Sequence, residues 1–204
     1  ALSNANGTLT VATPLAGVFA DHATAATARA VAGDFNGDGR TDIALTGVAG
    51  WNSIPLALSN ANGTLNVTVP FATTFADLAG QPAARILTGD FNGDGRTDIA
   101  LAGVPGWNSI PIASLHPDGT WNQSLPGSAY FATTAADPGA WIVPGDFNND
   151  GNTDIAVTGG SAMNSIVVAV SDGDGTFSTY DPYVGAFATH AATPAAKLVA
   201  PRRL

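Results

Sequence analysis

Apolar residues in this chain come in short runs, many of them alternating with polar ones, and Gly, Pro and Asn break them at 8–14-residue spacing. That pattern predicts short β-strands. RILTG (85–89), IALAG (99–103), IPIASL (110–115) and TWNQSL (120–125, with a looser edge toward 131) are four consecutive examples. Asn6-Gly7, Asn62-Gly63, Asp118-Gly119 and Asp174-Gly175 fall between the third and fourth run of each set. Such dipeptides suit hairpin turns that need positive φ. Nothing predicts a helix. The Ala-rich stretch 23–30 is broken by Thr and carries no amphipathic stripe.

The four-run set recurs. GDFNGDGRTDIALTG (33–47) returns as GDFNGDGRTDIALAG (89–103) and GDFNNDGNTDIAVTG (145–159), a 56-residue register. The register extends further: LSNANGTL at 2–9 and 58–65, then SLHPDGTW at 114–121 and VSDGDGTF at 170–177. Phe19, Phe75, Phe131 and Phe187 share one place in it, and Arg29, Arg85, Trp141 and Lys197 another. A fixed period of this length means one supersecondary unit used several times. Four antiparallel strands per unit predict an all-β chain of β-propeller blades. A solenoid of stacked hairpins is the alternative.

The expected division of residues 1–204 is a partial blade at 1–28, blades at about 29–84, 85–140 and 141–196, and a partial strand at 197–204. Arg202 stands where a fourth loop would carry its first Asp, so the expected ring is incomplete within one chain. Further blades would come from the same parent protein or from another chain.

Composition narrows the function. There is no Cys, and charged residues make up only 11%. All 16 acidic residues are Asp, and nine lie in the three repeated loops, so the net charge of −9 is local. Seven basic residues form no patch beyond Arg202–Arg203, which argues against nucleic-acid binding. No apolar run reaches the roughly 20 residues of a membrane helix, so membrane insertion is not expected. No Ser/His/Asp order or His-rich cluster points to catalysis, and a non-enzyme is expected. His22 and His190 share a register place but stand singly.

Each loop carries oxygen donors at odd positions, as a calcium loop does. The expected ligands are Asp34, Asn36, Asp38, the Arg40 carbonyl and Asp42 in the first. The second has Asp90, Asn92, Asp94, the Arg96 carbonyl and Asp98, and the third Asp146, Asn148, Asp150, the Asn152 carbonyl and Asp154. Gly39, Gly95 and Gly151 allow the sharp turn at position 6. Position 12 is Leu45, Leu101 or Val157 rather than the Glu of an EF-hand, so these are loops of β-hairpins. Three Ca2+ ions, one per complete repeat, would bring the charge from −9 to −3 (−9 + 6). The alternative is an Asp/Asn/Gly-rich turn without metal.

D-x-N-x-D-G-x-x-D followed by I-A-[LV], repeated at blade length, resembles the FG-GAP/VCBS repeat. That family includes the integrin α-chain propeller and fungal and bacterial propeller lectins. The resemblance covers nearly the whole chain and implies that the loop joins the first and second strands of each blade, with the ligands named above. It does not specify a partner. Extracellular calcium modules typically bind at about 10⁻⁴–10⁻³ M, so structural calcium implies secretion.

A meander of this kind puts the loops between strands two and three on one face with the blade-to-blade connections. That face would hold Trp51 and Asn52, Trp107 and Asn108, and the connection residues Asp21 and Asp77. A flat aromatic beside amides and hydroxyls suits a sugar ring, and repetition gives avidity. Glycans or a glycoprotein surface are the expected partners. The competing reading has both tryptophans plugging gaps between blades, as Met163 in the third copy suggests. An adhesion scaffold or an accessory module of a larger secreted protein is the alternative function.

Overall fold

The computed structural model describes residues 17–160, 163 and 165–184, and the backbone of β1 (Leu2–Ser3) and β2 (Leu9–Thr10). Phe187, His190, Lys197, Arg202–Arg203 and the expected strand at 197–204 lie outside them, as does Asn6. Among the described residues there are three four-stranded antiparallel sheets. The first is β3 (Arg29–Gly33), β4 (Asp42–Thr46), β5 (Leu56–Ser59) and β6 (Leu65–Thr68). The second is β7 (Arg85–Gly89), β8 (Asp98–Ala102), β9 (Ile112–Leu115) and β10 (Trp121–Ser124). The third is β11 (Trp141–Gly145), β12 (Asp154–Thr158), β13 (Ser165–Ser171) and β14 (Phe177–Val184). In each, strands pair in chain order, so each sheet is a propeller blade and the three do not close a ring.

The third strand starts later than the sequence suggests. It begins at Ile112, because Pro111 has no N–H to give the ladder; its carbonyl still accepts from Leu101 N–H at 2.9 Å. The hairpin turns also differ from a two-residue loop. Asn60 N–H bonds the Thr64 carbonyl and Gly63 N–H the Asn60 carbonyl, both at 2.9 Å. Gly63 has φ 80° while Asn62 does not enter positive φ, which is a type I turn closed by a glycine bulge.

The expectation of no helix is overturned. α1 (Val18–Ala23), α2 (Thr73–Ala79) and α3 (Ala129–Ala135) are short helices in the blade connections. The last begins within the residues expected as the loose edge of a strand, toward 131, and runs beyond them. Helices this short are not stable alone; packing holds them. α2 buries Phe75, Ala76 and Ala79, and α3 buries Phe131, Ala132 and Ala135. No described helix is long and apolar enough to cross a membrane.

The core lies between blades. Phe35, Ala44, Leu56 and α2's Phe75 meet Ile99, Leu101, Leu115 and Trp121 of the second blade. Leu87, Phe91, Ala100 and α3's Phe131 meet Ile155, Val157, Val167 and Phe177 of the third. Phe35 and Phe91 are fully buried, and each contributes roughly 1.5–3 kcal/mol by leaving water. Phe147, their counterpart in the third blade, is 45% exposed. Strand β7 lies beside both β3 and β11, so the first strands are innermost.

Candidate functional site

Two sets of residues carry chemistry: the Asp-rich loops at one end of the blades and the Trp/Asn turns at the other. The loops 34–42, 90–98 and 146–154 join first to second strands. In the first, Asp34 Oδ1 accepts from Gly37 and Asp38 N–H at 2.8 and 3.0 Å, and its Oδ2 from Gly39 N–H at 2.7 Å. Asn36 Oδ1 accepts from Asp38 N–H at 3.1 Å, and Asp38 Oδ1 from Arg40 N–H at 3.0 Å. The other loops repeat these Asx turns through Asp90, Asn92 and Asp94, and through Asp146, Asn148 and Asp150. Gly37 (φ 76°) and Gly93 (φ 72°) are replaced in the third loop by Asn149 (φ 63°), the one described non-Gly residue at positive φ.

The guanidinium of Arg40 pairs with Asp38 and that of Arg96 with Asp94; Asn152 has no such charge. Asp42, Asp98 and Asp154 close the loops and are fully buried. Asp42 Oδ2 accepts from Phe35 N–H at 3.1 Å and its Oδ1 from Ser59 N–H at 2.7 Å. Asp154 does the same with Phe147 and Ser171. Asp98 keeps the Phe91 bond at 3.0 Å, but its Oδ1 is buried without a hydrogen-bond partner.

Burial raises all three carboxyls, that of Asp98 to about 8, and the charges of Asp38 and Asp34, Asp94 and Asp90, and Asp150 and Asp146 push the same way. Three mutually repelling carboxylates and an orphaned oxygen are what a divalent cation relieves. Hard oxygen donors suit calcium rather than a softer metal, so the residue set fits it. The loops are closed by their own hydrogen bonds, and among the described residues no three His or Asp groups converge as a ready-made metal cluster.

At the other end, Trp51 and Trp107 sit in the turns after the second strand. Trp51 is half-buried against Phe19, Leu45 and Ala57, and its ring meets His22 edge-on, centroids 4.8 Å apart. Trp107 packs on the core containing Phe75, Leu101 and Ala113, and Met163 packs on the next. Each tryptophan thus wedges between its blade and the preceding connection helix. They are in separate blades. Asn52 and Asn108 are exposed, and their backbone carbonyls accept from Ala72 and Ser128 N–H, each at 2.9 Å. Asp21 and Asp77 are exposed on α1 and α2, the helices against which Trp51 and Trp107 pack. Asp, Trp and Asn therefore recur as a surface unit, once per blade for two blades.

The FG-GAP-like repeat model matches twice, over residues 34–101 and 90–157, more than half of the chain. The chain belongs to the FG-GAP-like repeat family. Its repeats carry the loops and most of the three blades. A solved structure with the same fold is that of an Agrocybe aegerita lectin, described as recognising non-reducing terminal N-acetylglucosamine. The two agree with a TM-score of 0.61 at 25% identity over 76% of this chain. This chain spans 38% of that lectin's length. No curated protein matches significantly.

Proposed function

We propose that this FG-GAP-like chain is a non-catalytic, extracellular, calcium-stabilised propeller module that binds glycans. The observation that carries the reading is the shared fold with a glycan-binding propeller lectin across three-quarters of this chain. The repeated Asp–Trp–Asn unit supports it: Asn52 and Asn108 offer free amides beside half-exposed indoles, at spacing set by the blades. Repetition on one face favours multivalent glycans over single sugars.

Calcium would be held by Asp34, Asn36, Asp38, the Arg40 carbonyl and Asp42, and by their counterparts in the other two loops. It would neutralise carboxylates that otherwise repel, and so brace the blades. At ten times its dissociation constant each ion adds roughly 1.4 kcal/mol. Sites that need abundant calcium belong outside the cell. Further blades, from the same parent protein or another chain, would cover Phe147 and complete the ring.

A protein-binding or structural scaffold is the second reading. The packing of Trp51 and Trp107 into blade cores favours it. A glycan array in millimolar calcium, repeated after chelation, decides. Binding to one sugar class, lost on Asn52→Ala in a folded chain, establishes the lectin. A blank array from folded protein leaves the scaffold.

A further inference from the structure

A cavity of about 420 Å³ opens between the first two blades where the innermost strands begin. Pro82, Pro105 and Pro138 form rigid walls, and Arg29 and Arg85 both line it. Four basic residues are described. Arg40 and Arg96 are spent on loop aspartates, so the remaining two meet in one cavity of a chain whose net charge is −9.

Both guanidiniums are held in place before any ligand arrives. The Arg29 stem lies over Gly47, where an added Cβ would come within 3.2 Å of its Cγ. The Arg85 stem lies over Gly103 at 3.1 Å by the same measure. Each tip is fixed by the next connection. Arg29 Nη1 donates to the Ala84 carbonyl and Arg85 Nη1 to the Ala140 carbonyl; Arg85 Nη2 reaches the Asp137 carbonyl at 3.5 Å. A guanidinium has five N–H donors, so these bonds orient the forks without using them up. Asp137 is the acidic residue of the lining connection. Its carboxylate turns to Gly139 N–H (2.8 Å) and toward Gly160.

We propose that the Arg29–Arg85 cavity binds the carboxylate of an acidic sugar. Planar guanidinium forks match a carboxylate bidentately, and the apolar proline walls leave room for a sugar ring. The sugar assignment rests on the glycan reading of this face; the carboxylate assignment rests on the two arginines.

The test is titration of the calcium-loaded chain with sodium glucuronate, glucose and sodium acetate, read from the Nε–H signals of Arg29 and Arg85 by NMR. Glucuronate should shift both signals saturably while glucose leaves them unmoved and acetate acts far more weakly. Arg29→Gln should weaken glucuronate by roughly tenfold or more, the worth of a charge-assisted bond, in a chain that still folds although it has lost the bond to the Ala84 carbonyl. No shift with glucuronate overturns the proposal. An equal response to glucose overturns the carboxylate assignment, and an equal response to acetate overturns the sugar assignment. Neutral-glycan binding without any arginine response would sink this site and leave the glycan module standing. An arginine response with a blank neutral array would do the reverse.

Discussion

Thr97 holds the loop of the blade before it: its N–H donates to the Asp34 carbonyl at 2.7 Å, and its hydroxyl accepts from Asp34 N–H at 3.1 Å. Thr153 does the same to Asp90, at 2.7 and 3.1 Å. Position 8 of the second and third Asp-rich loops is therefore tied to position 1 of the loop before. The contact is so close that a Cβ on Gly33 would fall 2.3 Å from Thr97 Cγ2, and one on Gly89 2.4 Å from Thr153 Cγ2. Glycine before the first Asp is a packing requirement in both blades.

Thr97→Val keeps the shape and removes the hydroxyl, so it should cost about 1 kcal/mol, a hydrogen bond's usual net worth. Gly33→Ala should cost more, about 1–3 kcal/mol, because a β-carbon must push neighbouring structure aside. Urea unfolding of both variants checks the order. A Gly33→Ala chain as stable as the parent contradicts the clamp.

The sequence shows some of this and hides the rest. The loops are legible because every polar position recurs at a fixed offset, and β7 spans the expected 85–89. The fold family is legible for the same reason. The helices are not. TTFADLA is short and Thr-rich, and only the burial of Phe75, Ala76 and Ala79 makes it helical. Thr41, Thr97 and Thr153 recur visibly, but their partner is one blade away, so their role needs the blades side by side. Arg29 and Arg85 share a register place without revealing that their stems cross Gly47 and Gly103 into one cavity.

Calcium should raise the unfolding midpoint, with three ions bound per chain by titration calorimetry. Asp34→Ala should remove one of them. Three loops of one design predict near-equal affinities, except that Arg40 and Arg96 add positive charge to the first two and Asn152 does not. Asp146→Ala should therefore remove the tightest site. A stoichiometry unchanged by both Asp34→Ala and Asp146→Ala rules these loops out as the sites.

Asn52→Ala and Trp107→Ala should separate recognition from packing. Asn52 is exposed, so its loss should leave the unfolding midpoint within about 0.5 kcal/mol of the parent, as surface substitutions do. Trp107 is half-buried against the Phe75 core, and truncation should cost about 2–4 kcal/mol, toward the low side of core aromatic losses. Glycan affinity should fall in both. If Asn52→Ala binds every glycan as the parent does, its amide is not part of the site.

In chelator, acid should stabilise this chain. Burial holds the Asp98 carboxyl up to about 8, against an ordinary value near 3.9 in the unfolded chain. Between those values the folded chain keeps a proton that the unfolded chain has released, so stability falls as pH rises. It is full below about pH 4 and declines through pH 8; Asp42 and Asp154 are shifted the same way. Calcium needs the ionised carboxylate, so with the loops filled the slope should reverse, and acid should cost stability by expelling the ion. Thermal unfolding from pH 8 to pH 5 with chelator, and again in millimolar calcium, measures both slopes. Asp98→Asn, neutral at every pH, should flatten the chelated slope. A chelated midpoint that drops on acidification would mean that the aspartates of these loops are better solvated without metal than their burial allows.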